Sequence, residues 1–159
     1  MKTLSEILAG TPPGKILIYG IGNPGRQDDA LGVRVVEALE EKALLATESN
    51  YQLTPEDSLL LKEKDLVIFV DATQDTQALV PYSLREIYPA TEASFTSHSL
   101  SIGALLTLCE RLYGRRPRAY ALAIPAYSFE VNEELSPRAR ANLNETLAEL
   151  LTCVEALHA

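Results

Sequence analysis

Cysteine and histidine are scarce in this chain, with two of each in 159 residues. Cys109 and Cys153 lie far apart with no C-x-x-C spacing, which sets aside a disulfide framework and fits a reducing, cytoplasmic setting. His158 belongs to the tail, where order is least expected, which leaves His98 as the candidate imidazole, read either as a satisfied loop histidine or as a ligand. Basic residues are outnumbered: 14 Lys and Arg face 22 Asp and Glu, for a formal net charge of −8. That balance argues against nucleic acid, whose binding depends on clustered Lys and Arg displacing counterions. The densest basic run, Arg115-Arg116-Pro117-Arg118, reads either as a solvated loop closing a helix or as a grip on a partner protein. No segment approaches the roughly 20 apolar residues that span a bilayer, and MKTLSEILAGTPPG lacks an apolar signal region. The expectation is a protein neither secreted nor membrane-embedded.

Long polar or repetitive tracts are also missing, which excludes disorder and repeat architectures. The length suits one domain with its own core. Leu4, Ile7 and Leu8 share a helical face in a lead segment, residues 1–14, that Thr11-Pro12-Pro13-Gly14 closes. A single domain then spans 15–159. Its apolar runs, Lys15 to Tyr19, Asp65 to Val70 and Ala119 to Ile124, suit strands buried on both faces of a sheet. Helix-period stripes alternate with them: Leu31, Val35, Ala38 and Leu39; Leu105, Leu108, Cys109 and Leu112; Leu143, Leu147, Leu150, Leu151 and Val154. Tyr82 to Tyr88 alternates loosely, as an edge strand does. The pattern predicts an α/β fold, a three-layer α/β/α sandwich with a mostly parallel central sheet.

In such folds ligands gather beyond the carboxyl ends of the strands. Three candidates fall there. Gly20 to Gly25 fits G-x-G-x-x-G, the cradle of a dinucleotide pyrophosphate, but Arg26-Gln27-Asp28-Asp29 delays the helix and places two carboxylates at the end a phosphate needs. Glu48 stands near the ribose-binding position without a clear strand to carry it. Capping accounts for one of Asp28 and Asp29 and leaves the other free for chemistry. Asp71, directly after the strand Leu66 to Val70, reads as a solvated strand end, a cap for Thr73 to Thr76, or a functional acid. His98 lies in the loop Thr96-Ser-His-Ser99 before a helix. Two carboxylates and one imidazole form an O,O,N set suited to a divalent transition metal with positions left open. Ser97 and Ser99 sit in no G-x-S-x-G elbow, and both cysteines fall on helices, where packing is the ordinary role.

Four segments in order, GIGNPGRQDDALGVRVVEALE, VIFVDA, TSHSLSIGALL and AIPAYSFEVNEELSP, resemble the hydrogenase maturation proteases. These are cytoplasmic endopeptidases that trim a C-terminal extension from the large subunit of nickel-iron hydrogenases. The resemblance runs from about Lys15 to Leu151. It implies that Asp29, Asp71 and His98 occupy the metal-contacting and catalytic positions, with Asp or Glu usual at the first. It further implies that nickel arrives already inserted in the large-subunit precursor, and that cleavage follows a basic residue just after that subunit's cysteine motif. Substrate choice would rest on surface loops such as Gln74 to Pro81 and Tyr127 to Glu134. The chain departs from the family at Tyr51-Gln-Leu-Thr-Pro-Glu56, where many members carry an Asp-Gly-Gly-Thr-like turn. Only Thr54 matches, and Glu56 or Asp57 either replaces the acid or caps the next helix.

Two rival readings belong to other classes. Gly20 to Gly25 also looks like the opening of bacterial peptidyl-tRNA hydrolase, which needs a histidine soon after this loop and a basic face for tRNA. A nickel-sensing assembly chaperone would use the same three ligands without cutting.

Overall fold

The computed structural model describes residues 2–90 and 100–158. Among these residues five α-helices and five strands follow one another as α1 (Leu4–Leu8), β1 (Ile16–Ile21), α2 (Leu31–Lys42), β2 (Ala46–Asn50), α3 (Ser58–Leu61), β3 (Leu66–Thr73), β4 (Ser83–Ile87), α4 (Ile102–Tyr113), β5 (Arg118–Pro125) and α5 (Pro137–Leu157). They form one sheet in the order β2-β1-β3-β5-β4, parallel except for β4, which pairs antiparallel with β5. This is the α/β sandwich that the alternation of apolar runs and helical stripes predicts.

Alternation along the central strands sorts the two faces of the core. Ile16 and Ile18 of β1 and Leu66, Ile68 and Val70 of β3 pack with α1, α2 and α5. Leu17, Tyr19, Val67 and Phe69 point the other way, onto Leu61 of α3 and Leu105, Leu106 and Cys109 of α4. With both faces covered, these strands read as continuous apolar runs. The lead segment joins the first layer: Leu4, Ile7 and Leu8 are buried in the same cluster as β1 and α5.

Three details differ from the sequence reading. First, β2 is a strand, yet its sequence Ala-Thr-Glu-Ser-Asn carries no apolar run, because an edge strand with half-exposed side chains has little to bury. Second, β3 continues through Asp71 to Thr73, since β5 stays in register with it as far as Thr73 opposite Pro125. Asp71 therefore lies within a strand rather than beyond it. Third, Leu112 is 57% exposed and the buried face of α4 runs through Leu105, Leu106 and Cys109. The basic run takes the solvated-loop reading: Arg115 pairs with Asp65, Arg116 with Glu110, and Arg118 donates to the Thr11 hydroxyl. Among the described residues no helix is long and apolar enough to cross a membrane.

The glycines of the first loop serve the sandwich. A Cβ on Gly20 would fall 2.3 Å from the Gly32 carbonyl oxygen, and one on Gly32 would fall 2.2 Å from that of Val70. The start of α2 thus presses backbone to backbone against β1 and β3, which draws the preceding turn over the carboxyl edge of the sheet.

Candidate active site

The turn before α2, residues Gln27–Ala30, is a 3-10 turn that gives its two aspartates opposite surroundings. Asp28 is fully buried. Its Oδ2 accepts the Tyr127 and Ser128 backbone N–H groups at 2.8 and 3.0 Å and the Ser136 hydroxyl at 2.6 Å, while Oδ1 accepts the Ser136 N–H at 2.8 Å. The capping expectation is therefore corrected: Asp28 makes no cap bond to its own helix and instead fastens the loop after β5 and the N-cap of α5. Its carboxylate has its lone pairs engaged by protein donors, a structural use that leaves little for a ligand.

Asp29 is only partly buried, and its Oδ2 accepts the Asn23 N–H at 2.9 Å. The loop that holds it admits no side chain at Gly22, where φ is +146° and a Cβ would fall 1.9 Å from the Asp29 carbonyl oxygen. Asp71 accepts the N–H of its own neighbour Ala72 on Oδ1 at 2.8 Å. Burial pushes its carboxyl up to about 6, opposed by the Ala72 hydrogen bond and reinforced by the negative charge of Asp29. The turn that carries Asp29 packs against β3, so the two carboxylates share one electrostatic neighbourhood at the sheet's carboxyl edge. His98 lies outside the described residues, as do Ser97 and Ser99.

A second loop is zipped onto the first. Gln27, at φ +43°, donates its N–H to the Asn132 carbonyl at 2.7 Å, and Asn132 returns its N–H to the Gly25 carbonyl at 3.0 Å. The Gln27 side-chain oxygen takes the Ser128 hydroxyl and the Glu130 N–H, the latter at 3.0 Å. Sequence reasoning passed over Gln27, since nothing in a glutamine beside two aspartates signals a partner a hundred positions away.

The departure at Tyr51 to Glu56 also has a structural answer. Asp57 is buried, and its Oδ2 accepts the Tyr19 hydroxyl at 2.8 Å and the Thr54 N–H at 2.9 Å, closing a cap over the turn before α3. Leu53 fills the core below. Asp57 thus takes the capping role. Tyr19 itself is pushed up by burial and then by this carboxylate.

Chemically, the described residues offer a pair of carboxylates, each with an oxygen free of hydrogen bonds to described residues. Oxygen donors of this kind suit a divalent cation, which would also relieve their mutual repulsion. Among the described residues no group of three or more His, Cys, Asp or Glu is gathered to hold a metal ion. The described residues therefore supply two ligands and not a complete site. Burial raises both thiols, Cys109 and Cys153, which fits their packing role.

No protein-family model matches the sequence, and no curated protein does. Solved structures do match. The NiFe hydrogenase maturation protease HycI from Thermococcus kodakarensis KOD1 superposes with a TM-score of 0.74 over 97% of this chain and 99% of its own, at 22% identity. The hydrogenase maturating endopeptidase HybD from E. coli superposes at 0.66 over 89% of this chain and 93% of its own, also at 22% identity. HybD from Thermococcus kodakarensis reaches 0.67 over 88% and 99%, at 18% identity. The chain has the fold of the NiFe hydrogenase maturation proteases, over nearly its whole length.

Proposed function

We propose that the chain is an endopeptidase that removes the C-terminal extension of a nickel-iron hydrogenase large-subunit precursor and recognises nickel in that substrate. The observation that carries the reading is the Asp29 and Asp71 pair at the carboxyl edge of a sheet with this fold. In this reading Asp29, Asp71 and His98 are the protein's ligands to a nickel ion that the precursor brings, and the same three form the catalytic set. The setting in this reading is the cytoplasm.

Recognition and chemistry follow from one arrangement. Three protein ligands leave positions for the precursor's own groups, so a nickel-loaded precursor gains contacts that an empty one lacks. Nickel held there beside the scissile bond would polarise its carbonyl or acidify a water. Asn23 keeps Asp29 aimed, and the Asp28 clamp keeps the turn that carries both aspartates fixed to the second loop.

Incubation of the purified protein with nickel-loaded precursor, followed by mass analysis, tests the reading. A precursor shortened at one bond is expected. A stable complex of full-length chains would replace the protease with a chaperone.

A further inference from the structure

Loop 127–134 is bonded to the turn that carries Asp29, and a cavity of about 190 Å³ lies between it and loop 74–81, with Asp75, Ala78, Val80, Pro125, Tyr127 and Arg138 among its walls. Thr73 pairs with Pro125 two residues beyond the pairing of Asp71 with Ala123. At about 3.3 Å per residue, the cavity's edge is roughly 7 Å along the strand from Asp71. It is smaller than the roughly 300 Å³ at which small-molecule pockets begin, and suits one side chain.

Two of its walls are set before any ligand arrives. Tyr127 donates its N–H to Asp28 at 2.8 Å, and its hydroxyl accepts from the Asn142 amide at 3.0 Å. The Arg138 guanidinium carbon lies over the Tyr127 ring, 4.2 Å from its centre. Stacking holds the group by its face and leaves the N–H fork along its edge unspent. Arg138 forms no ion pair among the described residues. Asp75 has one oxygen on the Gln77 N–H at 2.9 Å and the other to offer.

We propose that this cavity is a specificity subsite that takes an acidic side chain of the substrate polypeptide against Arg138, with an adjoining backbone N–H directed to Asp75. The assignment rests on the protease reading above. A guanidinium fork matches a carboxylate with two parallel bonds, and a pre-stacked arginine loses less freedom on binding. A lysine or arginine in the same place meets Arg138 with like charge. Glu130, Glu133 and Glu134 on the adjoining loop repel acidic segments elsewhere, so Arg138 decides which register of an acidic segment is accepted.

The test measures binding, not cleavage: fluorescence anisotropy of labelled short peptides that differ at one central residue, Glu, Gln, Lys or Leu, with the full-length protein. The Glu peptide is expected to bind about fivefold more tightly than the Gln peptide, the scale of a partly exposed ion pair. Arg138→Gln removes that preference, and Arg138→Glu turns it toward the Lys peptide. Arg138 is exposed and its stack on Tyr127 is worth at most about 1 kcal/mol, so both variants stay folded with unfolding midpoints close to the wild type. Equal binding of Glu and Gln peptides, a preference for Leu, a Glu preference that survives Arg138→Gln, or no measurable binding of any peptide overturns the subsite. A wild type that leaves the precursor intact yet shows the Arg138-dependent preference overturns the protease reading instead.

Discussion

Asp28 accepts both the backbone N–H of Ser136, at 2.8 Å, and its hydroxyl, at 2.6 Å, across 108 positions of sequence. This contact ties the turn before α2 to the start of α5 and closes the loop between β5 and α5 over the sheet edge. Its neighbour Asp29, one residue later, is left to face the site.

Asp28 and Asp29 should separate cleanly on substitution. Asp28→Ala leaves three backbone N–H groups and one hydroxyl without their acceptor. A loss of about 3 kcal/mol of stability is expected, toward the upper range for stranding buried donors. Asp29→Ala is expected to change stability by less than about 1 kcal/mol, as a partly exposed side chain with one hydrogen bond, while abolishing processing. Urea unfolding checks the first pair of values and precursor mass the second. Equal destabilisation by both variants contradicts the division of roles.

Asp71 makes stability depend on pH. Its folded value near 6 stands above the ordinary 3.8, so the folded chain keeps a proton that the unfolded chain releases in that window. The stabilisation is full below 3.8 and is lost as pH rises through about 6. In metal-free protein, Asp71→Asn removes this loss, with a gain on the order of 2 kcal/mol at pH 8 that shrinks toward pH 4. Urea midpoints of both proteins across that range measure it. A gap between them that stays constant with pH contradicts the assignment.

Backbone contact at the start of α2 leaves no room for a methyl group. Gly32→Ala would place its Cβ 2.2 Å from the Val70 carbonyl oxygen, and neither partner is a flexible side chain. The expected cost is about 3 kcal/mol, the scale of overpacking. Thermal unfolding reads it directly, and a wild-type midpoint would show that the helix does not press on the sheet as described.

The architecture was legible where burial is two-sided. Lys15 to Tyr19, Asp65 to Val70 and Ala119 to Ile124 carry unbroken apolar runs because helices cover both faces of β1, β3 and β5. The half-exposed β2 has no such signal, and Asp71 hid the last turn of the pleat in β3 because a charge within a strand reads as its end. At the site, Asp29 and Asp71 stood out as acids at helix and strand boundaries. The role of Asp28 did not, since its partners Tyr127, Ser128 and Ser136 are about a hundred residues away and only the fold brings them near. The same distance in sequence concealed the Tyr19 to Asp57 bond, which fixes the turn where the family pattern is broken. Nothing in the spacing of Tyr127 and Arg138 announces a stacked pair.

The central claim, that processing is gated by nickel held in the substrate, is tested most directly with one precursor in two states. The purified protein is incubated with nickel-loaded and with nickel-free large-subunit precursor, and substrate mass is followed in time. Loss of the C-terminal peptide from the loaded precursor alone is the predicted result. Equal cleavage of both, or of neither, would contradict it.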